Sequence, residues 1–146
     1  MNSKVQKHTI LYAEDDQDDF EILHDAILQQ TDQFELVAAQ NGTEVLSYLE
    51  RQPPPGLIVL DLNMPVMDGK QTLRWLKEHE NFKKIPVMVF TTSSREEDLK
   101  LCKDHECTFF RKPTLYRDLL HVVQIMLQMS LPKAEEQKDQ DHRWHS

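Results

Sequence analysis

Leu57-Ile58-Val59-Leu60-Asp61 sets four apolar residues in a row and closes them with one acid. An unbroken apolar run of that length, delivered by the breaker Pro53-Pro54-Pro55-Gly56, reads as a strand buried on both faces, the habit of parallel sheets. Ile85-Pro86-Val87-Met88-Val89-Phe90 repeats the pattern, with its proline at the start, where a missing N–H is tolerated. Thr9-Ile10-Leu11-Tyr12-Ala13, Phe34 to Ala39 and Cys107-Thr108-Phe109-Phe110 supply three more strand candidates.

Helical stretches separate these runs. From Asp18 to Gln29, the apolar residues Phe20, Leu23 and Ile27 recur at helical spacing. Val45, Leu46 and Leu49 form a short apolar face after the break at Asn41-Gly42, and Gly69 to His79 turns Leu73 and Leu76 inward. Ser94-Arg95-Glu96-Glu97 has capping-box form and opens a helix around Leu99 and Cys102, while Thr114 caps a last helix reaching about Met129. Five strands, each followed by a helix, predict a doubly wound five-stranded parallel α/β domain over residues 1–130. Residues 131–146 are charged and, apart from Trp144, nearly devoid of large apolar groups, so they read as a mobile tail.

The composition bounds the function. With 146 residues, 39% hydrophobic and 29% charged, the chain has the balance of one globular domain. No apolar stretch approaches the roughly 20 residues of a membrane helix. The start, Met1 to His8, lacks a signal-peptide layout, which points to the cytoplasm. A net charge of −8 without a Lys/Arg cluster argues against nucleic-acid binding. Cys102 and Cys107 lack the further partners of a zinc site and read as small hydrophobes rather than a disulfide.

In an open parallel sheet, ligands bind beyond the carboxyl ends of the strands. There the sequence places Glu14-Asp15-Asp16, Asp61 with Asn63, Thr91-Thr92-Ser93, and Lys112-Pro113. Crowded carboxylates repel one another, and a hard cation with oxygen ligands, such as Mg²⁺, relieves that repulsion. A lysine suits a phosphate, and one carboxylate can act as nucleophile toward phosphorus, giving an acyl phosphate. Asp18 and Asp19 read as caps of the first helix rather than ligands, and Asp19 stands where an EF-hand loop needs Gly. Asn41-Gly42-Thr43 reads as a turn, and His142 and His145 as incidental.

Ile10–Asp16, Leu57–Gly69, Val89–Ser93 and Phe110–Pro113 together resemble the receiver domain of two-component response regulators, over roughly residues 8 to 129. The resemblance implies a flavodoxin-like (βα)5 fold with strand order 2-1-3-4-5. It implies that Asp61 takes a phosphoryl group from the phosphohistidine of a sensor histidine kinase or phosphotransfer protein. Glu14 and Asp15 match the acidic pair around Mg²⁺, Asp15 the more direct ligand, and Asn63 the residue whose carbonyl completes the site. Thr91 matches the switch hydroxyl, Phe109 the aromatic that turns inward with it, and Lys112 the phosphate clamp, with a cis Lys112–Pro113 bond. Glu14 replaces a frequent Asp, so its contact to metal runs through water, and Thr92 replaces a commonly smaller residue.

Two other functions compete. A phosphatase of the haloacid dehalogenase kind needs a second Asp as general acid, where this chain has Asn63. A receiver-like interaction module that is never phosphorylated is the other, and against it Asp61, Asp15, Thr91 and Lys112 are all present. The leading expectation is a stand-alone, non-enzymatic switch acting by protein binding or phosphorelay. In the last helix, Leu115, Leu119, Val123 and Met126 form the core stripe, and Val122, Ile125 and Met129 extend it toward a neighbouring helix or a homodimer face.

Overall fold

The structure, a computed structural model, describes residues 7–64, 66–92 and 95–132. Five strands alternate with five helices: β1 (His8–Ala13), α1 (Gln17–Leu28), β2 (Phe34–Ala39), α2 (Gly42–Arg51), β3 (Leu57–Leu60), α3 (Gly69–Glu78), β4 (Val87–Thr91), α4 (Glu96–Asp104), β5 (Thr108–Arg111) and α5 (Tyr116–Met129). All pairings are parallel, in the order β2-β1-β3-β4-β5. The order reverses between β1 and β3, which opens a crevice at the ends of those two strands.

Alternation along the strands feeds two cores, because successive side chains leave a strand on opposite faces. Leu11, Ala13, Ile58, Leu60 and Val89 pack with Val45, Leu49, Leu73, Leu76 and Cys102 of α2, α3 and α4. Ile10, Tyr12, Val59 and Met88 pack with Leu23, Ala26 and Ile27 of α1 and Leu119, Val123 and Met126 of α5. The central strand β3 is fully buried, which is why its sequence carries no polar alternation.

Helix starts depart from the sequence reading at three places. Asp16, not Asp18 or Asp19, caps α1, accepting from the Asp18 and Asp19 amides at 2.9 and 3.1 Å. In a run of acids any member could cap, and the end of β1 selects the first with extended backbone. At α4 the cap is Arg95, with no side-chain bond to the helix amides, and Ser94 lies outside the described residues. At α5 the cap is Leu115, about half exposed and outside the core stripe assigned to it, while Thr114 caps nothing. Val122, assigned to the outward arc, is buried between α5 and the sheet.

The Asn41-Gly42 break proves to be a helix start, with the Asn41 side chain accepting from the Glu44 amide at 3.0 Å. Strands β4 and β5 begin and end one or two residues later than the apolar runs suggest. Cys102 and Cys107 are free thiols, as expected. No helix among the described residues is long and apolar enough to cross a membrane. Of the tail, only Leu131 and Pro132 are described, and Trp144, His142 and His145 lie outside the described residues.

Candidate functional site

Each polar residue of the crevice is delivered by a strand end. The Glu14 amide continues the sheet by donating to the Ala39 carbonyl at 2.9 Å, which turns the Glu14 side chain inward, while Asp15 faces solvent. The Asp61 amide donates to the Ala13 carbonyl at 3.1 Å and so sets Asp61 beside Glu14 across the reversal. The Lys112 amide bonds the Thr91 carbonyl at 2.9 Å, aligning the ends of β4 and β5.

The side chains then converge on one ammonium. Lys112 Nζ bonds Glu14 Oε1, Asp19 Oδ2 at 2.9 Å and Asp61 Oδ2 at 3.3 Å. Asp61 Oδ1 accepts from the Thr91 hydroxyl and from the Asn63 amide, each at 3.1 Å. Glu14 is held further by the Tyr12 hydroxyl at 3.2 Å and the Asp16 amide at 3.1 Å. Glu14 and Asp61 are 4% and 8% exposed, so these charges feel each other with little screening by water.

Three carboxylates around one ammonium leave surplus negative charge in a dry place. Burial, together with the nearby Asp61 charge, pushes the Glu14 carboxyl up to about 7 despite its bond from Lys112. Burial opposes the Lys112 charge, yet the bonds to Asp19 and Glu14 and the Asp61 charge outweigh it and drive the ammonium upward. The Tyr12 phenol is raised by burial and by Glu14. Such a pocket favours adding positive charge or hydrogen-bond donors, and its donors are all oxygen, which suits a hard divalent cation. Among the described residues, no group of three or more His, Cys, Asp or Glu side chains is drawn together as a ready metal cage. Lys112 stands among Glu14, Asp19 and Asp61 instead.

Most of the residues singled out in the sequence are therefore neighbours: Glu14, Asp61, Asn63, Thr91 and Lys112. Asp15 is near them along the chain but exposed at the rim. Phe109 is half-buried against the core on the α4 side, paired with Val89 in the sheet. All described peptide bonds are trans, so Lys112–Pro113 is not the cis bond expected; a tertiary amide favours trans by only about 0.5–1 kcal/mol, and sequence alone does not choose between them. Tyr12 and Asp19 were not anticipated as members of the site. With Asp16 as the cap of α1, Asp19 falls in the first helical turn, and tertiary packing then brings it to 2.9 Å from Lys112 Nζ, a placement that no local sequence signal marks.

Known proteins resemble this chain in sequence and in fold. The model of the response regulator receiver domain matches residues 10–124. The chain belongs to the response regulator receiver family. As a receiver domain it is a phosphorylation-dependent switch of the two-component kind, and the family expectation is phosphorylation on aspartate. Response regulator Rcp1 of Synechocystis sp. is 33% identical over 122 residues, which are 79% of this chain and 83% of that protein. The polar-differentiation response regulator DivK of Brucella anthropi is 26% identical over 106 residues, 72% of this receiver and 84% of DivK. Among solved structures, the phosphorylated cyanobacterial phytochrome response regulator RcpA superposes with a TM-score of 0.78 at 28% identity, covering 87% of this chain and 96% of its own. The Mn²⁺-bound form of Rcp1 gives 0.72 at 31% identity, covering 80% and 89%. The flavodoxin-like order 2-1-3-4-5 is thus that of receivers of known structure.

Proposed function

We propose that this receiver is a stand-alone switch whose phosphoacceptor is Asp61. The observation that carries the reading is the grip on the Asp61 carboxylate: Lys112 from β5 holds one oxygen and Thr91 from β4 holds the other, at the point where the strand order reverses. The donor is a phosphohistidine on a histidine kinase or phosphotransfer protein. An Asp61 oxygen bonds to phosphorus as the imidazole nitrogen–phosphorus bond breaks, and the product is an acyl phosphate. Lys112 and Thr91 stabilise the phosphoryl oxygens during transfer.

Glu14, Asp15, Asp61 and the main-chain carbonyl of Asn63 would hold a divalent cation, Mg²⁺ by the chemistry of the donors, which supplies charge neutralisation for the transferring group. The surplus negative charge around Lys112 supports that assignment. After transfer, new contacts from the phosphoryl group to Thr91 and Lys112 favour one arrangement of β4 and β5 over another, with Phe109 following Thr91: a population shift. Output is by binding another protein or by passing the phosphoryl group onward, without contact to nucleic acid.

The test is intact-mass measurement after incubation with Mg²⁺ and acetyl phosphate. One phosphate per chain, lost in Asp61→Asn, is the expected result. Turnover of many phosphate esters would replace this reading with an enzymatic one. No adduct from acetyl phosphate or from a kinase donor would leave an interaction module that is not phosphorylated.

A further inference from the structure

Helix α4 ends in a Schellman turn. Glu106 adopts φ 56°, its amide donates to the Lys103 carbonyl at 3.1 Å, and the Cys107 amide donates to the Cys102 carbonyl at 3.0 Å. This turn brings the side chain of the third residue inside the helix against that of the second residue beyond it, ordinarily two apolar groups. Here both are cysteines. Cys102 Sγ lies 3.0 Å from the Cys107 carbonyl oxygen, and Cys107 Sγ lies 3.3 Å from that of Cys102. Each thiol is thus within hydrogen-bonding reach of the other residue's carbonyl, and neither is in a disulfide.

We propose that Cys102 and Cys107 are a reversible modification site, an intrachain disulfide formed by exchange with a small-molecule disulfide, fastening the end of α4 to the start of β5. The direct bond between the two backbones holds them at the order of separation a disulfide bridges, Cα to Cα about 4.4–6.8 Å. Exposure sets the order of events. Cys102 is 2% exposed and Cys107 is half-buried, so Cys107 meets the oxidant first. The hydrogen bond from Cys102, aided by the Lys77 charge, lowers the Cys107 thiol against the opposing effect of burial.

The Cys107 thiolate attacks one sulfur of the small disulfide, forming a mixed disulfide and releasing one thiolate. Cys102 then attacks the Cys107 sulfur and expels the second. Two protons leave the protein thiols, and two electrons reduce the small disulfide to two thiols. This site is independent of the phosphoacceptor reading.

The full chain, reduced and then exposed to oxidised glutathione, is to be quenched with an alkylating agent and analysed by intact mass and peptide mapping. The expected product is a monomer that has lost two hydrogens, carries no glutathione, resists alkylation at both cysteines and reverts with a dithiol. Cys102→Ser should trap glutathione on Cys107, whereas Cys107→Ser should react at least about tenfold more slowly, because the remaining thiol is buried. The proposal falls if the natural chain keeps glutathione on Cys107, forms an intermolecular dimer, or remains fully alkylatable after exposure.

Discussion

The Thr91 hydroxyl at the end of β4 donates to Asp61 Oδ1 at the end of β3 at 3.1 Å, which ties the ends of two neighbouring strands together through their side chains. On the proposed assignment of Asp61 as phosphoacceptor and Thr91 as switch, the phosphoryl group forms within reach of the Thr91 hydroxyl. Thr91→Ala should lose about 1 kcal/mol of stability with the hydrogen bond. It should still take phosphate on Asp61. Hydrogen exchange over β5 should then no longer respond to phosphorylation, while Thr91→Ser should restore the response. A full response in Thr91→Ala would remove Thr91 from the switch.

Gly69 opens α3 directly against the backbone of Asp61 and Leu62. A Cβ there would stand 2.3 Å from the Asp61 carbonyl oxygen and 2.6 Å from the Leu62 Cα. Both are backbone atoms, so the strand end itself must shift. Gly69→Ala should destabilise the domain by about 1–3 kcal/mol, as overpacking does, and slow phosphorylation of Asp61. Urea denaturation and the acetyl phosphate assay measure the two effects separately, and an unchanged rate would show that the Asp61 backbone tolerates displacement.

Glu14 ties stability to pH. Its carboxyl is raised in the folded state from 4.5 to about 7 by burial and by Asp61. Between those values the folded chain binds the proton more tightly than the unfolded chain, so this contribution is fully present below 4.5 and is lost as pH rises through 7. With divalent cations chelated, unfolding free energy should carry a downward component between about pH 4.5 and 7. Glu14→Gln should flatten it. Equal slopes for both proteins would mean that Glu14 is not raised.

Legibility in the sequence followed the strength of the local pattern. The five strands and the reversal crevice were readable because β3 and β4 are unbroken apolar runs with a single acid or hydroxyl at the end. Thr91 followed from closing β4, and Glu14, Asp61 and Lys112 from standing first after β1, β3 and β5. The cap of α1 was less readable, since Asp16, Asp18 and Asp19 are chemically alike and only the chain path selects Asp16. The long-range placements were not readable at all. Asp19 reaches Lys112 only through the packing of α1 against α5, which follows β5, and the buried Asp98 meets Lys70 of α3 at 3.3 Å across two helices. The Asp68 and Gln71 capping box at α3 carried a recognisable S/T/D-x-x-E/Q signature, although it lay inside the stretch read for chemistry.

Thr92 stands exposed beside the site and lines a cavity of about 480 Å³ with Arg111, Lys112, Pro113, Thr114 and Asp118. A side chain at that rim narrows the approach of water to an acyl phosphate on Asp61. Thr92→Ala should therefore speed loss of the phosphoryl group several-fold, measured by intact mass after removal of acetyl phosphate. An unchanged or slower loss would sink the idea, and folding is not at stake because the residue is exposed.

Ile125 is the outward member of the α5 arc, 38% exposed, whereas its neighbours Val122 and Met126 are buried in the core. Its apolar surface therefore adds nothing to the packing of α5 on the sheet beyond its own stem, and Ile125→Glu should change stability by no more than about 0.5 kcal/mol. If α5 is a contact face between two copies of this chain, the substitution places two like charges against each other across the two-fold axis and abolishes self-association. Sedimentation velocity of the phosphorylated natural chain and of the phosphorylated variant makes the comparison. A dimer in the first and a monomer in the second is the expected pair of results, while identical sedimentation would exclude this face.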